Sequence, residues 1–221
     1  MVKAGEREIT RVGIVDDQED ARGAYKWTIE DADLEPVDEP GPLPSLWEFA
    51  AGVAGRADAA ICDFKLTIRN YAAFTGAELV AHWYERKFPA LLCTRYDEAA
   101  QEEIRAHRPR IPVVVAPDAL DTEQLLRGIE LCVAELDEGP GPERKPWRAQ
   151  VHVLDGPDHD SGGFFFVELP GWHSPEVFRL RLQDLEAEVQ ERVAPAARLH
   201  AHVNLGAEDS HEVYFDAWEV D

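Results

Sequence analysis

Three acidic side chains lie directly after apolar segments of the chain. Asp16 and Asp17 follow the β-branched segment Arg11–Val15, and Asp63 ends the run DAAICD at residues 58–63. If both segments are parallel strands, their carboxyl ends meet at one edge of the sheet, where open α/β folds place their chemistry. Converging carboxylates repel one another, and a hard divalent cation such as Mg²⁺ relieves that repulsion. The spacing therefore predicts a magnesium site.

A hydroxyl group is expected at the same edge. Thr94 follows the apolar run PALLC at residues 89–93, which is typical of a buried strand. A Mg²⁺ ion held by the three acids would keep coordination positions for water and a phosphoryl group. Thr94 would face the same crevice.

The elements that position these residues alternate between strand and helix. Apolar runs predict strands at residues 11–15, 34–37, 58–62, 89–93 and 111–115, and helical spacing predicts helices at 19–30, 45–53, from about 75, at 96–107 and at 120–136. This alternation predicts a flavodoxin-like, doubly wound sheet of five parallel strands. We expect it to occupy residues 1–136.

A second domain is predicted after the linker DEGPGPERKP at residues 137–146, whose prolines and glycines interrupt regular structure. Residues 147–221 predict two strands at 149–154 and 164–169, a helix at 175–192 capped by Ser174, and two strands at 199–205 and 212–220. The order ββαββ indicates a small α+β domain with an antiparallel sheet, interpreted as an interaction or output module.

Histidines are concentrated in this second domain. His200 and His202 share one face of a predicted strand, and His152 on another strand could approach them to form a metal or acid–base site. Half-exposed histidines on the polar face of a sheet are the alternative, and we favour it.

Composition narrows the function classes. The chain has 44 acidic against 22 basic residues and a net charge of −22, which argues against the basic surface of a nucleic-acid-binding protein. It has no apolar run near the roughly 20 residues of a membrane span and no leader-like segment, so we expect a soluble, cytoplasmic protein. The three cysteines are expected to be buried thiols.

The motifs VDD at 15–17, ICD at 61–63, LLCT at 91–94 and VVVAP at 113–117 resemble those of receiver domains in two-component response regulators. The resemblance covers residues of about 11–136. It implies that Asp63 accepts a phosphoryl group from a partner histidine kinase and that Asp16, Asp17 and Asp63 hold Mg²⁺. It also implies that Thr94 hydrogen-bonds the phosphoryl group.

The chain departs from the receiver pattern near the fifth strand. Receivers carry a lysine before the proline there, and this sequence has Ala116. The aromatic switch residue of the same strand is replaced by Val113 or a neighbouring valine, and the loop after Asp63 is longer than usual. Lys65 could supply a substitute cation, although an ordinary surface lysine is the alternative interpretation.

These observations predict an atypical signalling protein that can be phosphorylated on Asp63 and acts through protein contacts rather than DNA. One alternative is an adaptor that works without phosphorylation, with a second copy of the chain as a candidate partner. Another alternative is a metal-dependent hydrolase in the histidine-rich domain, regulated by the receiver. The sequence favours a function without catalysis in that domain.

Overall fold

The computed structural model describes residues 1–95, 98–158 and 163–219. They form two compact units. The first unit comprises Met1–Asp97 and Arg110–Pro140, and the second comprises Glu98–Pro109 and Gly141–Asp221. Across the described ranges, no helix has both the length and the apolar character needed to span a membrane.

A five-stranded parallel sheet is the centre of the first unit. The unit has seven strands, of which the last five form this sheet: β1 Val2–Ala4, β2 Arg7–Ile9, β3 Arg11–Val15, β4 Glu35–Glu39, β5 Ala59–Asp63, β6 Ala90–Cys93 and β7 Val113–Val115. The sheet has the order β4-β3-β5-β6-β7, and every neighbouring pair is parallel. This is the order of flavodoxin-like folds, so the predicted fold class is confirmed.

Helices alternate with these strands. They are α1 Glu19–Asp31, α2 Leu46–Ala54, α3 Gly76–Glu85, α4 Glu98–His107 and α5 Thr122–Glu138, of which α4 lies in the second unit. Helix α3 begins with a capping box, in which Thr75 and Glu78 each bind the other's backbone amide. Asp121 starts α5 by accepting a hydrogen bond from the Gln124 amide at 2.8 Å.

Buried side chains of the central strands explain their continuous apolar character. Val12, Ile14, Ala59 and Ile61 are inaccessible to solvent, as expected for parallel strands covered on both faces. All three cysteines are free and buried, as the sequence predicted.

A short hairpin before the first parallel strand did not appear in the sequence prediction. Strands β1 and β2 pair antiparallel, and β1 packs against α5. Ala4 and Ile9 are buried in the core of the first unit. Strands of three residues are too short to show a periodic pattern, which is why the sequence did not reveal them.

The second unit contains an antiparallel sheet, as predicted. Its elements are β8 Trp147–Asp158, β9 Phe164–Glu168, β10 Val177–Arg181, α6 Ala187–Gln190, β11 Arg198–Val203 and β12 Phe215–Glu219. The strand order is β10-β9-β8-β11-β12. One face builds the core, which includes Val151, Val153, Phe165, Val167, Phe178, Leu180, Leu199, Ala201 and Val203.

The predicted helix at residues 175–192 is wrong. The structure has strand β10 in this segment, and the later helix α6 is only four residues long. Phe178 and Leu180 are buried between exposed neighbours, and they pair with Val167 and Phe165 of β9. The described order is therefore βββαββ, with one more strand than the sequence predicted.

Helix α4 packs against β10 and β12 of the second unit. Arg105 donates hydrogen bonds from Nη1 to the carbonyl oxygens of Ser210 at 3.0 Å and Val213 at 2.6 Å. Glu102 forms an ion pair with Arg179 of β10 at 2.9 Å. Helix α4, which follows Thr94 in the chain, is thus packed onto the sheet of the second unit.

Candidate functional site

The three predicted acids converge at the carboxyl edge of the parallel sheet. Strands β3 and β5 pair in parallel with Val15 opposite Cys62, so the residues that follow them lie side by side. Asp16, Asp17 and Asp63 each offer one carboxylate oxygen, and these oxygens lie within 4.8 Å of one another. The register of two neighbouring strands creates the cluster.

Asp16 is almost completely buried, with 1% of its surface exposed. Burial raises its pKa from 3.8 to about 6, because a buried carboxylate loses hydration. The hydrogen bond that Oδ1 accepts from the Gln18 amide at 2.7 Å opposes this rise, while the charges of Asp63 and Asp17 add to it. Asp16 therefore holds its proton more firmly than an exposed aspartate.

Asp63 is partly buried beside it. Burial raises the pKa of Asp63, and the backbone amides of Lys65 and Phe64 lower it by hydrogen bonding. The Lys65 amide donates to Asp63 Oδ2 at 2.8 Å. The charge of Asp17 also raises this pKa, and the positive charge of Lys65 lowers it.

Asp17 has a carboxylate oxygen that is suited to be a metal ligand. Its Oδ1 atom is buried and has no hydrogen-bond partner among the described residues. An unpaired buried carboxylate oxygen is costly unless a cation or donor satisfies it. The oxygen-only donor set of the three acids suits a hard cation such as Mg²⁺ or Ca²⁺.

A cavity of about 300 Å³ is bordered by Thr94, Asp16 and Asp63. Thr94 is buried, its amide donates to the Val115 carbonyl at 2.9 Å, and its hydroxyl donates to the Arg95 carbonyl at 3.3 Å. The lining also includes a neutral residue from the end of β7, Pro117, but not Ala116. Among the described residues, the lining is Asp16, Gln18, Ala21, Tyr25, Asp63, Lys65, Ile68, Thr94, Arg95 and Pro117.

Helix α1 contributes two supporting residues that the sequence did not assign to the site. Arg22 is buried, donates from Nη1 to the Asp16 carbonyl at 2.9 Å, and pairs through Nε with Asp38 at 2.9 Å. The hydroxyl of Tyr25 lies 3.2 Å from Cys93 Sγ. Tyr25 lines the same cavity as Asp16 and Asp63, and this position depends on how α1 packs against the sheet.

In the second unit, His152 contacts a glutamate and a glutamine side chain. His152 Nδ1 lies 3.2 Å from Glu168 Oε1 and its Nε2 lies 2.8 Å from Gln150 Oε1. Within the described ranges, the one group of side chains placed to hold a metal is the aspartate cluster. The alternative metal or acid–base site on His152, His200 and His202 is thus not among the groups that the described residues bring together to hold a metal.

Comparisons with known proteins concern the fold of the N-terminal part. No family model matches the chain, and no curated protein is similar to it. Similar solved structures include a response regulator receiver domain protein from Clostridium thermocellum, with 12% identity over 58% of this chain and 98% of that chain, and a TM-score of 0.45. The signal receiver domain of a modulated diguanylate cyclase from Desulfovibrio desulfuricans G20 shares 18% identity over 59% of this chain and 98% of that chain, with a TM-score of 0.47.

A CheY-like receiver domain protein from Methanospirillum hungatei JF-1 shares 17% identity over 60% of this chain and all of that chain, with a TM-score of 0.44. All three are receiver domains, the family that the sequence motifs resemble.

Proposed function

We propose that the chain is an atypical signalling receiver in which Asp63 accepts a phosphoryl group and the second unit serves as the output module. One observation carries the proposal: the carboxylates of Asp16, Asp17 and Asp63 meet at the sheet edge, beside a cavity that Thr94 also lines. The partner that supplies the phosphoryl group would be a histidine kinase of the cytoplasm. The large excess of acidic residues argues for output through protein contacts rather than nucleic acid.

Asp16, Asp17 and Asp63 would hold a Mg²⁺ ion through one oxygen each. When bound, the ion supplies positive charge that offsets the carboxylates and the phosphoryl oxygens. The unpartnered Oδ1 of Asp17 and the proton-retaining environment of Asp16 both favour cation binding, because each carboxylate is short of compensating charge. Metal binding would expel the proton from Asp16.

The chemical step is a displacement at phosphorus. A carboxylate oxygen of Asp63 attacks, a new P–O bond forms, and the bond from phosphorus to the donor nitrogen or oxygen breaks. The departing group keeps the electron pair of that bond and takes a proton from solvent. Thr94 would turn its hydroxyl from the Arg95 carbonyl to donate a hydrogen bond to a phosphoryl oxygen.

The output would begin at Thr94. This residue follows strand β6, the strand that precedes α4, and α4 is packed against β10 and β12. A change in the Thr94 hydrogen bond would shift the population of conformations available to α4, and the sheet that holds α4 would carry the change to a protein partner.

An adaptor that works without phosphorylation is the second candidate, and Ala116 favours it. The lysine that receivers place at this position is absent, so the usual coupling between phosphoryl group and fifth strand is missing. In that case the three acids would hold a cation or remain solvated at the edge of the sheet. The protein would then act only by binding a partner through its surface.

Beryllium fluoride, which mimics an acyl phosphate, separates the two candidates. We expect saturable binding to the full chain in the presence of Mg²⁺. The change in fluorescence of its tryptophans measures this binding. Asp63→Asn should abolish binding, whereas Asp31→Asn, an exposed aspartate at the end of α1, should not alter it. If binding to the unaltered protein does not saturate, the phosphoryl-accepting role is wrong and the adaptor is the candidate function that remains.

A further inference from the structure

The cavity beside Asp63 is short of positive charge for the ligand that we propose. Asp16 and Asp63 line it and Asp17 lies within the same cluster, so a phosphoryl group would add further negative charge. Ala116, at the position where receivers carry an ammonium group, offers only a methyl group. Two cationic side chains belong to the described lining of the cavity, Lys65 and Arg95.

The backbone holds Lys65 beside Asp63. Its neighbours Phe64 and Leu66 are buried, with 4% and 0% of their surfaces exposed, whereas Lys65 is exposed. The amide of Gly76 donates to the Phe64 carbonyl at 2.9 Å, and the Lys65 amide donates to Asp63 Oδ2 at 2.8 Å. Buried residues on both sides thus anchor the segment, and the lysine side chain is left at the cavity.

We propose that Lys65 supplies the positive charge for a phosphoryl group on Asp63, in place of the lysine that is missing at Ala116. The inference rests on the proposed function. An ammonium is a compact charge on a flexible stem with three donors, so it can reach a phosphoryl oxygen from a different strand end.

Arg95 fits this role less well. It follows Thr94, and its carbonyl accepts a hydrogen bond from the Thr94 hydroxyl. Lys65 shares the loop of the acceptor itself, and its amide already binds the acceptor carboxylate. A charge from this loop would therefore follow any movement of Asp63.

The test is the affinity of the full chain for beryllium fluoride at saturating Mg²⁺. We expect Lys65→Met to weaken it by about tenfold or more, the size of a lost charge-assisted hydrogen bond. Lys65→Arg should keep most of the affinity, and Ala116→Lys should restore it in the Lys65→Met background. Lys3→Met, which removes an exposed cation from β1, controls for net charge.

Mg²⁺ affinity, measured by calorimetry without beryllium fluoride, provides the second readout. Lys65→Met should leave it unchanged or strengthen it, because the removed group is a cation. If the unaltered protein fails to bind beryllium fluoride, the proposed function is wrong. If it binds but Lys65→Met binds equally well, or if Arg95→Met alone causes the loss, the proposal for Lys65 is wrong.

Discussion

Asp16 is the most deeply buried of the three carboxylates at the sheet edge, and its charge is the least compensated by solvent. Its pKa of about 6 lies above the ordinary value of 3.8 because of burial and the nearby acids. As pH rises from about 4 to 6, unfolded chains release this proton before folded ones do. Without metal, the contribution of Asp16 to stability is therefore lost across this interval.

We expect Asp16→Asn to raise the free energy of unfolding of the metal-free protein by roughly 2 kcal/mol at pH 7.5. The amide oxygen can still accept the Gln18 hydrogen bond, so the change removes mainly the charge. Urea unfolding between pH 4 and 8 should show the advantage over the unaltered protein growing up to about pH 6 and then staying level. The same advantage at all pH values, or an equal one for Asp31→Asn, would contradict this explanation.

Much of the site at residue scale could be predicted from the sequence because acids after apolar runs must lie at strand ends. The sequence indicated Asp16, Asp17, Asp63 and Thr94 in this way, and the structure brings them to one edge. It did not indicate Arg22, whose contact with the Asp16 carbonyl depends on how α1 packs. Such roles arise from tertiary geometry and leave no local pattern.

Helix α3 approaches strand β5 so closely that its first residue has to be glycine. A Cβ atom at Gly76 would lie 1.9 Å from the Asp63 carbonyl oxygen and 2.8 Å from the carbonyl carbon. Both obstructing atoms are backbone, which cannot rotate away as a side chain can. The start of α3 and the backbone of Asp63 are thus in direct contact.

Gly76→Ala should therefore cost roughly 2–4 kcal/mol of stability, because either the helix or the end of β5 must shift. Beryllium fluoride affinity should fall with it, since Asp63 would move. Gly23→Ala in α1 is the matched control: a Cβ there meets nothing within 4 Å, so we expect up to about 1 kcal/mol of stabilisation. Thermal unfolding of the two variants measures both effects, and a neutral Gly76→Ala would show that the contact yields easily.

The erroneous helix at residues 175–192 shows where element prediction fails. Apolar residues at 178, 180, 182, 185 and 189 fit a helical face, but the first three also fit the alternation of a strand. The pairing of Phe178 with Val167 decides between them, and that partner lies on another strand. The central parallel strands β3, β5 and β6 were predicted correctly because continuous burial gives an apolar run whatever the partner strand is.

The two compact units of the molecule are not continuous segments of the chain. Segment Glu98–Pro109 belongs to the same compact unit as Gly141–Asp221, although Arg110–Pro140 between them belongs to the other. Arg105 binds carbonyl groups 105 and 108 residues further along the chain, and its guanidinium lies 5.2 Å from the centre of the Phe178 ring. Burial lowers the pKa of Arg105 to about 10. No local pattern could predict contacts at this separation.

Hydrogen exchange of the full chain at increasing denaturant should reveal this division. We expect the amides of α4 to lose protection together with those of β8 to β12, and the amides of α5 to lose protection with the parallel sheet, because cooperative units exchange as groups. Arg105→Met should lower the protection of α4, β10 and β12 by roughly 2 kcal/mol, since it removes the hydrogen bonds to the Ser210 and Val213 carbonyls. Arg192→Met, at an exposed position in the same unit, should leave protection unchanged. If α4 instead exchanges with α5, the helix belongs energetically to the parallel sheet, and a signal starting at Thr94 would have to reach the second unit by another route.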